Sequence, residues 1–140
     1  MLKKIALFLV VMATPLSVAS YVYAQRQYQF SDAALQQRYQ DLNNWYFDGS
    51  LPKNAVVGWA DIPLDHSLYV MGDITEDSLK IEIDTKSNIT KSTVDLTLLH
   101  EMCHSATQDY ERAHNEDLHG PRFQACMMNL AKEGAMQDIW

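Results

Sequence analysis

From residue 31 onward the apolar positions change their period twice. Leu35, Tyr39, Leu42 and Tyr46 recur at i, i+4, i+7 and i+11, the spacing of one buried face on an α-helix. Ser31 or Asp32 can cap its start. Its end is predicted at Asp48-Gly49, where glycine accepts the left-handed conformation that closes helices, and Pro52 prevents resumption. Between residues 54 and 84 the runs shorten to 55–59 (Ala-Val-Val-Gly-Trp), 68–71 (Leu-Tyr-Val-Met) and 79–84 (Leu-Lys-Ile-Glu-Ile-Asp). Bounded by Pro63, Gly72 and Asp-rich connections, these read as strands. In the last, Leu79, Ile81 and Ile83 alternate with Lys80, Glu82 and Asp84, as in a sheet with one wet face.

The helical period then returns. Ser92 with Asp95 three residues on resembles a capping box opening a helix that runs to about Gln108, its core stripe Leu96, Leu99, Cys103 and Ala106. A polar loop over residues 109–118 follows. Gly120-Pro121 opens a last helix that buries Phe123, Cys126, Met127 and Leu130. The expectation is one small α+β domain: an N-terminal helix, a short, mostly antiparallel sheet, a central helix and a C-terminal helix.

Residues 1–24 stand apart from this pattern. Lys3 and Lys4 precede an apolar run over 5–19, and Val22-Tyr23-Ala24 or Ser17-Val18-Ala19 offers a small-x-small cleavage site, so the segment reads as an export signal. If uncut, residues 5–24 are just long enough to anchor the chain in a bilayer. Either way residues 25–140 form the working domain, periplasmic, secreted or held at a membrane surface, with the positive flank left inside.

Charge narrows the partners. The 140 residues carry 11 Lys+Arg against 18 Asp+Glu, a formal net charge of −7. Without the basic tip, 9 basic and 18 acidic residues remain, net −9. Such a field repels phosphate backbones, so no nucleic acid is expected as partner.

The chemistry lies in the central helix, at His100-Glu101-Met102-Cys103-His104. Residues four apart share one helical face, so both imidazoles can reach one ion while Glu101 projects beside them. With 5 histidines in 140 residues, such an HExxH pattern arises by chance roughly 0.007 times per chain. Zinc is the implied ion. A catalytic zinc takes three protein ligands and leaves the fourth place to water, whose proton a neighbouring carboxylate can accept. Two surface histidines on an amphipathic helix are the bland alternative, disfavoured because both flank the apolar stripe.

For the third ligand the extended pattern with Gly at 107 and His at 110 fails, since Thr107 and Tyr110 stand there. His114, Glu116, Asp117 and His119 remain candidates. His119 fits best: Gly120 lets the backbone turn close to a metal, Pro121 starts the next helix, and Phe123 anchors it. His114, Glu116 and Asp117 read as solvated loop residues, with one of the acids a candidate for orienting a zinc histidine. His66 reads as surface.

Trp45-Tyr46-Phe47-Asp48-Gly49-Ser50-Leu51-Pro52, the strand-rich middle, Leu98-Leu99-His100-Glu101-Met102-Cys103-His104 and the His119-Gly120-x-x-Phe123 segment together resemble the SprT-like family of zinc metallopeptidases over about residues 33–133. The resemblance implies a zincin-like fold, His119 as third zinc ligand beside His100 and His104, and Glu101 as catalytic base. The nuclear branch that acts on DNA–protein crosslinks is not implied, because this acidic chain shows no zinc ribbon or other DNA-binding appendage and begins with an export signal.

Smaller features complete the reading. Cys103 and Cys126 both fall on core stripes and are candidates for a disulfide in an oxidising compartment, although free buried thiols would look the same in sequence. Tyr110 or Arg122 could stabilise the oxyanion of a tetrahedral intermediate. Asn88-Ile89-Thr90 matches a glycosylation sequon. Residues 68–71 are a candidate edge for an extended peptide. The function expected is peptide-bond hydrolysis by a zinc metalloendopeptidase acting on a protein or peptide. The competing readings are a non-catalytic zinc-stabilised binding module and a zinc hydrolase of a cell-wall amide.

Overall fold

The computed structural model describes residues 31–63, 71–75, 77–88 and 90–137, so the basic N-terminal segment and His66 lie outside the described residues. In chain order the elements are helix α1 (Asp32–Tyr46), strands β1 (Val56–Ala60), β2 (Gly72–Ile74) and β3 (Lys80–Asp84), and helices α2 (Lys91–His114) and α3 (Pro121–Lys132). This is the expected small α+β domain. No helix among the described residues is long and apolar enough to cross a membrane.

Ser31 caps α1, its hydroxyl accepting the Ala34 N–H at 3.1 Å. That leaves Asp32 to accept the Trp59 N–H of β1 at 3.1 Å. One turn on, Gln36 accepts the Val57 N–H at 3.0 Å and donates to the Ala55 carbonyl at 2.9 Å. Gln40 follows, donating to the Lys53 carbonyl at 3.1 Å. Polar side chains at i and i+4 thus occupy the outer edge of β1, which would otherwise offer unpaired backbone to other chains, and the one at i+8 holds the segment leading into it. The adjacent face of α1 buries Leu35, Tyr39 and Leu42. The chain leaves the helix through Asp48 and Gly49, both left-handed at φ 53° and 65°, where glycine costs least.

The sheet order is β1-β3-β2. β2 and β3 form the expected antiparallel pair, with Asp73 opposite Glu82. β1, however, runs parallel to β3, with Val57 beside Ile81 and Trp59 beside Ile83, so the sheet is mixed rather than mostly antiparallel. Apolar alternation says which side chains face inward and is blind to strand direction. The chain between β1 and β2 is long enough to carry β2 past β3 to its far side, which leaves β1 and β3 pointing the same way. Of the expected strand over 68–71, Met71 is described and precedes β2, a strand the apolar pattern did not mark. Leu79 and Asp84 exchange their expected environments: Leu79 is 38% exposed and Asp84 is buried.

Helix α2 starts two residues before the expected cap. Thr90 is its N-cap, accepting the Thr93 N–H at 3.1 Å while Thr93 Oγ1 accepts the Thr90 N–H at 3.1 Å. Asp95 serves tertiary structure instead, receiving Arg38 of α1 in a bidentate pair at 2.7 Å on each oxygen, and Lys91 at 2.6 Å. The helix also continues through the expected loop to His114 and stops at Asn115, left-handed at φ 51°. No glycine or proline interrupts residues 91–114, so polar side chains there mark an exposed flank, not an end. Its buried face is broad, with Leu98, Leu99, Met102 and Cys103 fully enclosed and Ala106 exposed. Burial of each large side chain contributes roughly 1.5–3 kcal/mol. On α3, Phe123 and Leu130 are buried while Cys126 and Met127 are half-covered.

Candidate metal centre

Helix α2 presents His100 and His104 one turn apart, and the loop after Asn115 returns the chain so that His119 meets them. The three Nε2 atoms form a triangle, each 3.2 Å from the other two. Three imidazole nitrogens on a tetrahedral zinc at about 2.0–2.1 Å stand about 3.3–3.4 Å apart. The donor set and its spacing therefore fit zinc, and these three residues form a group that could hold a metal ion. Burial, followed by the neighbouring His119, holds His100 below the usual imidazole range. Burial, then His100 and His119, pushes His104 down to about 4. Lowered basicity keeps an imidazole neutral at physiological pH, the form that ligates.

Phe123 supports the triangle from the α3 side. Its ring stacks on His104 at 4.4 Å and meets His100 and His119 edge-on at 4.8 Å each. The returning loop is tightly built. Gly120 N–H donates to the Asp117 carbonyl at 2.7 Å, and a Cβ at Gly120 would lie 2.7 Å from that carbonyl and 2.9 Å from Glu116. Gln124 donates to the His119 carbonyl at 3.0 Å. Since Gly120 has no side chain to cap α3, Glu116 Oε1 accepts the Arg122 N–H at 3.1 Å, placing a negative group at a helix N-terminus.

Glu101 is 5% exposed and sits on the flank of α2 that meets β2. Burial, assisted by the charge of Asp73, pushes its carboxyl up to about 8, an environment typical of proton-transferring groups. The strand comes this close because residue 72 is glycine: a Cβ there would stand 2.7 Å from Thr97 Cγ2 and 3.0 Å from Glu101 Oε1. Asn88 holds the arrangement. Its amide nitrogen donates to the Met71 and Asp84 carbonyls at 2.7 and 2.9 Å, and its Oδ1 accepts from Thr97 Oγ1 at 2.6 Å. The sequon asparagine is thus fully buried and fully bonded.

Cys103 and Cys126 are joined by a disulfide, fastening α3 to α2 beside the histidines. His114 stays outside the triangle, its Nδ1 bonded to the Tyr110 carbonyl at 2.8 Å and its ring stacked on Tyr110 at 3.9 Å. Tyr110 also meets Arg122, whose guanidinium carbon lies 3.8 Å from the ring centroid. Their described contacts join Tyr110 and Arg122 to each other and not to the histidine group. The sequence reading missed Gly72 as part of the site; the available signal was a glycine beside a strand, a sign of close backbone approach.

Fold and site together define an α+β domain built round a group of three histidines, two of them on an HExxH helix and the third in the loop that follows. The chain belongs to the SprT-like family, whose model matches residues 35–138. Neither a curated protein nor a solved structure matches it significantly.

Proposed function

We propose that this protein is a zinc-dependent metalloendopeptidase that cleaves extended segments of protein substrates. The observation carrying the proposal is the Nε2 triangle of His100, His104 and His119, 3.2 Å on each side, with the buried Glu101 next to His100 in the same helix. These three imidazoles would hold the ion. Zinc, when bound, supplies Lewis-acid activation of water at neutral pH. As its carboxylate, the form that a cation held by the histidines would favour, Glu101 accepts the proton of the attacking water and returns it to the leaving amine. Among the described residues no fourth ligand joins the group, and Glu116 of the returning loop is engaged at the start of α3. That supports a catalytic site with an open position over a closed structural one.

The sheet supports the substrate class. The outer edge of β1 is taken up by Asp32 and Gln36, whereas β2, the other edge strand, runs beside Glu101. An extended peptide adding to that edge would place its backbone next to the base. We propose further that the protein works outside the cytoplasm, on the strength of residues 1–24 and the disulfide, and without nucleic acid, on the strength of the net charge of −9 in the remaining chain.

The test uses an unfolded protein substrate. Wild-type protein is expected to hydrolyse it and to lose activity to a zinc chelator, while Glu101→Gln keeps stoichiometric zinc and loses hydrolysis. Equal activity in Glu101→Gln refutes the mechanism.

A further inference from the structure

We infer that Gly72 is a positioning residue, the point at which the substrate backbone is brought level with Glu101. This rests on the peptidase reading above and names the residue that sets the depth of its substrate strand. In the β2–β3 ladder the Met71 carbonyl accepts the Asp84 N–H and the Thr75 N–H donates to the Lys80 carbonyl, both at 2.9 Å. Bonding partners alternate along an antiparallel strand. The N–H and carbonyl of Gly72, and those of Ile74, therefore face away from β3, toward the outer edge. Ile74 N–H is already taken by Asp73 Oδ1 at 2.9 Å. Among the described residues Gly72 is left as the residue of β2 whose outward N–H is not taken by a neighbouring side chain, and a Cβ built on it would stand 3.0 Å from Glu101 Oε1.

The absence of a side chain is what allows this. A methyl at residue 72 would press on two neighbours at once, 2.7 Å from Thr97 Cγ2 and 3.0 Å from Glu101 Oε1, with Glu101 Cγ at 3.2 Å. Thr97 cannot swing aside freely, because its hydroxyl is bound to the buried Asn88 at 2.6 Å, and Asn88 in turn holds Met71. The Asn88–Thr97 pair fixes the height of β2 over α2, and Gly72 converts that height into contact with the base. A strand that pairs with Gly72 then runs at the level of Glu101.

Two contacts with different owners make the role separable. Thr97→Ser deletes the methyl that Gly72→Ala would strike and keeps the hydroxyl for Asn88, but it leaves the added methyl against Glu101. Gly72→Ala is expected to lower the thermal midpoint and to cut kcat/KM by about ten-fold or more, with zinc content unchanged. Gly72→Ala/Thr97→Ser is expected to recover the thermal midpoint of Thr97→Ser while kcat/KM stays low. Recovery of both midpoint and kcat/KM to the level of Thr97→Ser overturns the inference, because Gly72 would then serve packing alone; so does full activity in Gly72→Ala. If Gly72→Ala does not fold, the double variant decides by itself. If wild-type protein cleaves nothing, the peptidase reading falls. Crystal structures of the double variant and of Thr97→Ser then decide the contact separately: displacement of the Glu101 carboxylate away from residue 72 supports it, and an unmoved carboxylate overturns it.

Discussion

Cys103 is bonded to Cys126, and the chain between them, 23 residues in sequence separation, carries both His104 and His119. The disulfide closes a covalent ring round two corners of the histidine triangle and fixes α3, with Phe123, against α2. Closing a loop of this size contributes about 3 kcal/mol in the chain-entropy account. Replacement of both cysteines by alanine is expected to lower the unfolding free energy by at least that amount, read from urea titrations. Zinc should also pass to a chelator faster from the reduced or substituted protein. Unchanged release would show that the disulfide stabilises the fold without holding the metal site.

His119 and His114 lie five residues apart and should behave oppositely. His119→Ala removes a corner of the triangle and is expected to cost more zinc affinity than the about 10–100-fold typical of losing an outer-shell partner. His114→Ala, removing a ring stacked on Tyr110, should leave zinc content intact. Metal analysis of the two purified variants checks both.

Asn88 is buried with three hydrogen bonds of 2.6–2.9 Å. Asn88→Ala leaves two carbonyls and a hydroxyl without that partner, and should destabilise by roughly 2–4 kcal/mol. The same burial predicts that protein produced in a glycosylating host carries no glycan at Asn88 once folded, which intact-mass spectrometry reads directly.

Asp84 is buried at the end of β3. Burial alone would push its carboxyl up, but hydrogen bonds from Ser87, Ile62 and Lys86 outweigh that and hold it below the usual carboxylate range. A folded-state value below the unfolded one gives stability that is present above about pH 4 and is lost as pH falls through the folded value. Asp84→Asn should therefore lower the urea midpoint at pH 7 and flatten its further decline as pH falls below about 4. An acid-induced decline as steep as the wild type's would assign it to other carboxylates.

The fate of individual residues shows what each kind of signal can carry. His100 and His104 were legible because a four-residue spacing on one helix is a local fact, true wherever that helix packs. Leu35, Tyr39 and Leu42 were legible for the same reason, as was the end of α1 at Asp48-Gly49. The end of α2 was misread because Asp109, Arg112 and His114 are polar, and polarity distinguishes an exposed flank from a loop only when the packing is known. Asp95 was expected at a helix start and instead binds Arg38, a residue 57 positions away.

By itself the sequence determined that helices α1, α2 and α3 form, the apolar face of α1, the pair of histidines with Glu101, and the acidic character of residues 25–140. Each of these depends on residue types at short spacings, where backbone geometry leaves few alternatives. Only the tertiary structure decided that β1 lies parallel to β3, that β2 rests on Glu101 through Gly72, and that Cys103 and Cys126, which the sequence left as bridge or free thiols, are bonded; it also brings His119, the ligand the sequence favoured, to His100 and His104. These are meetings of residues distant along the chain, governed by loop return and core packing, and no periodicity within one segment records them.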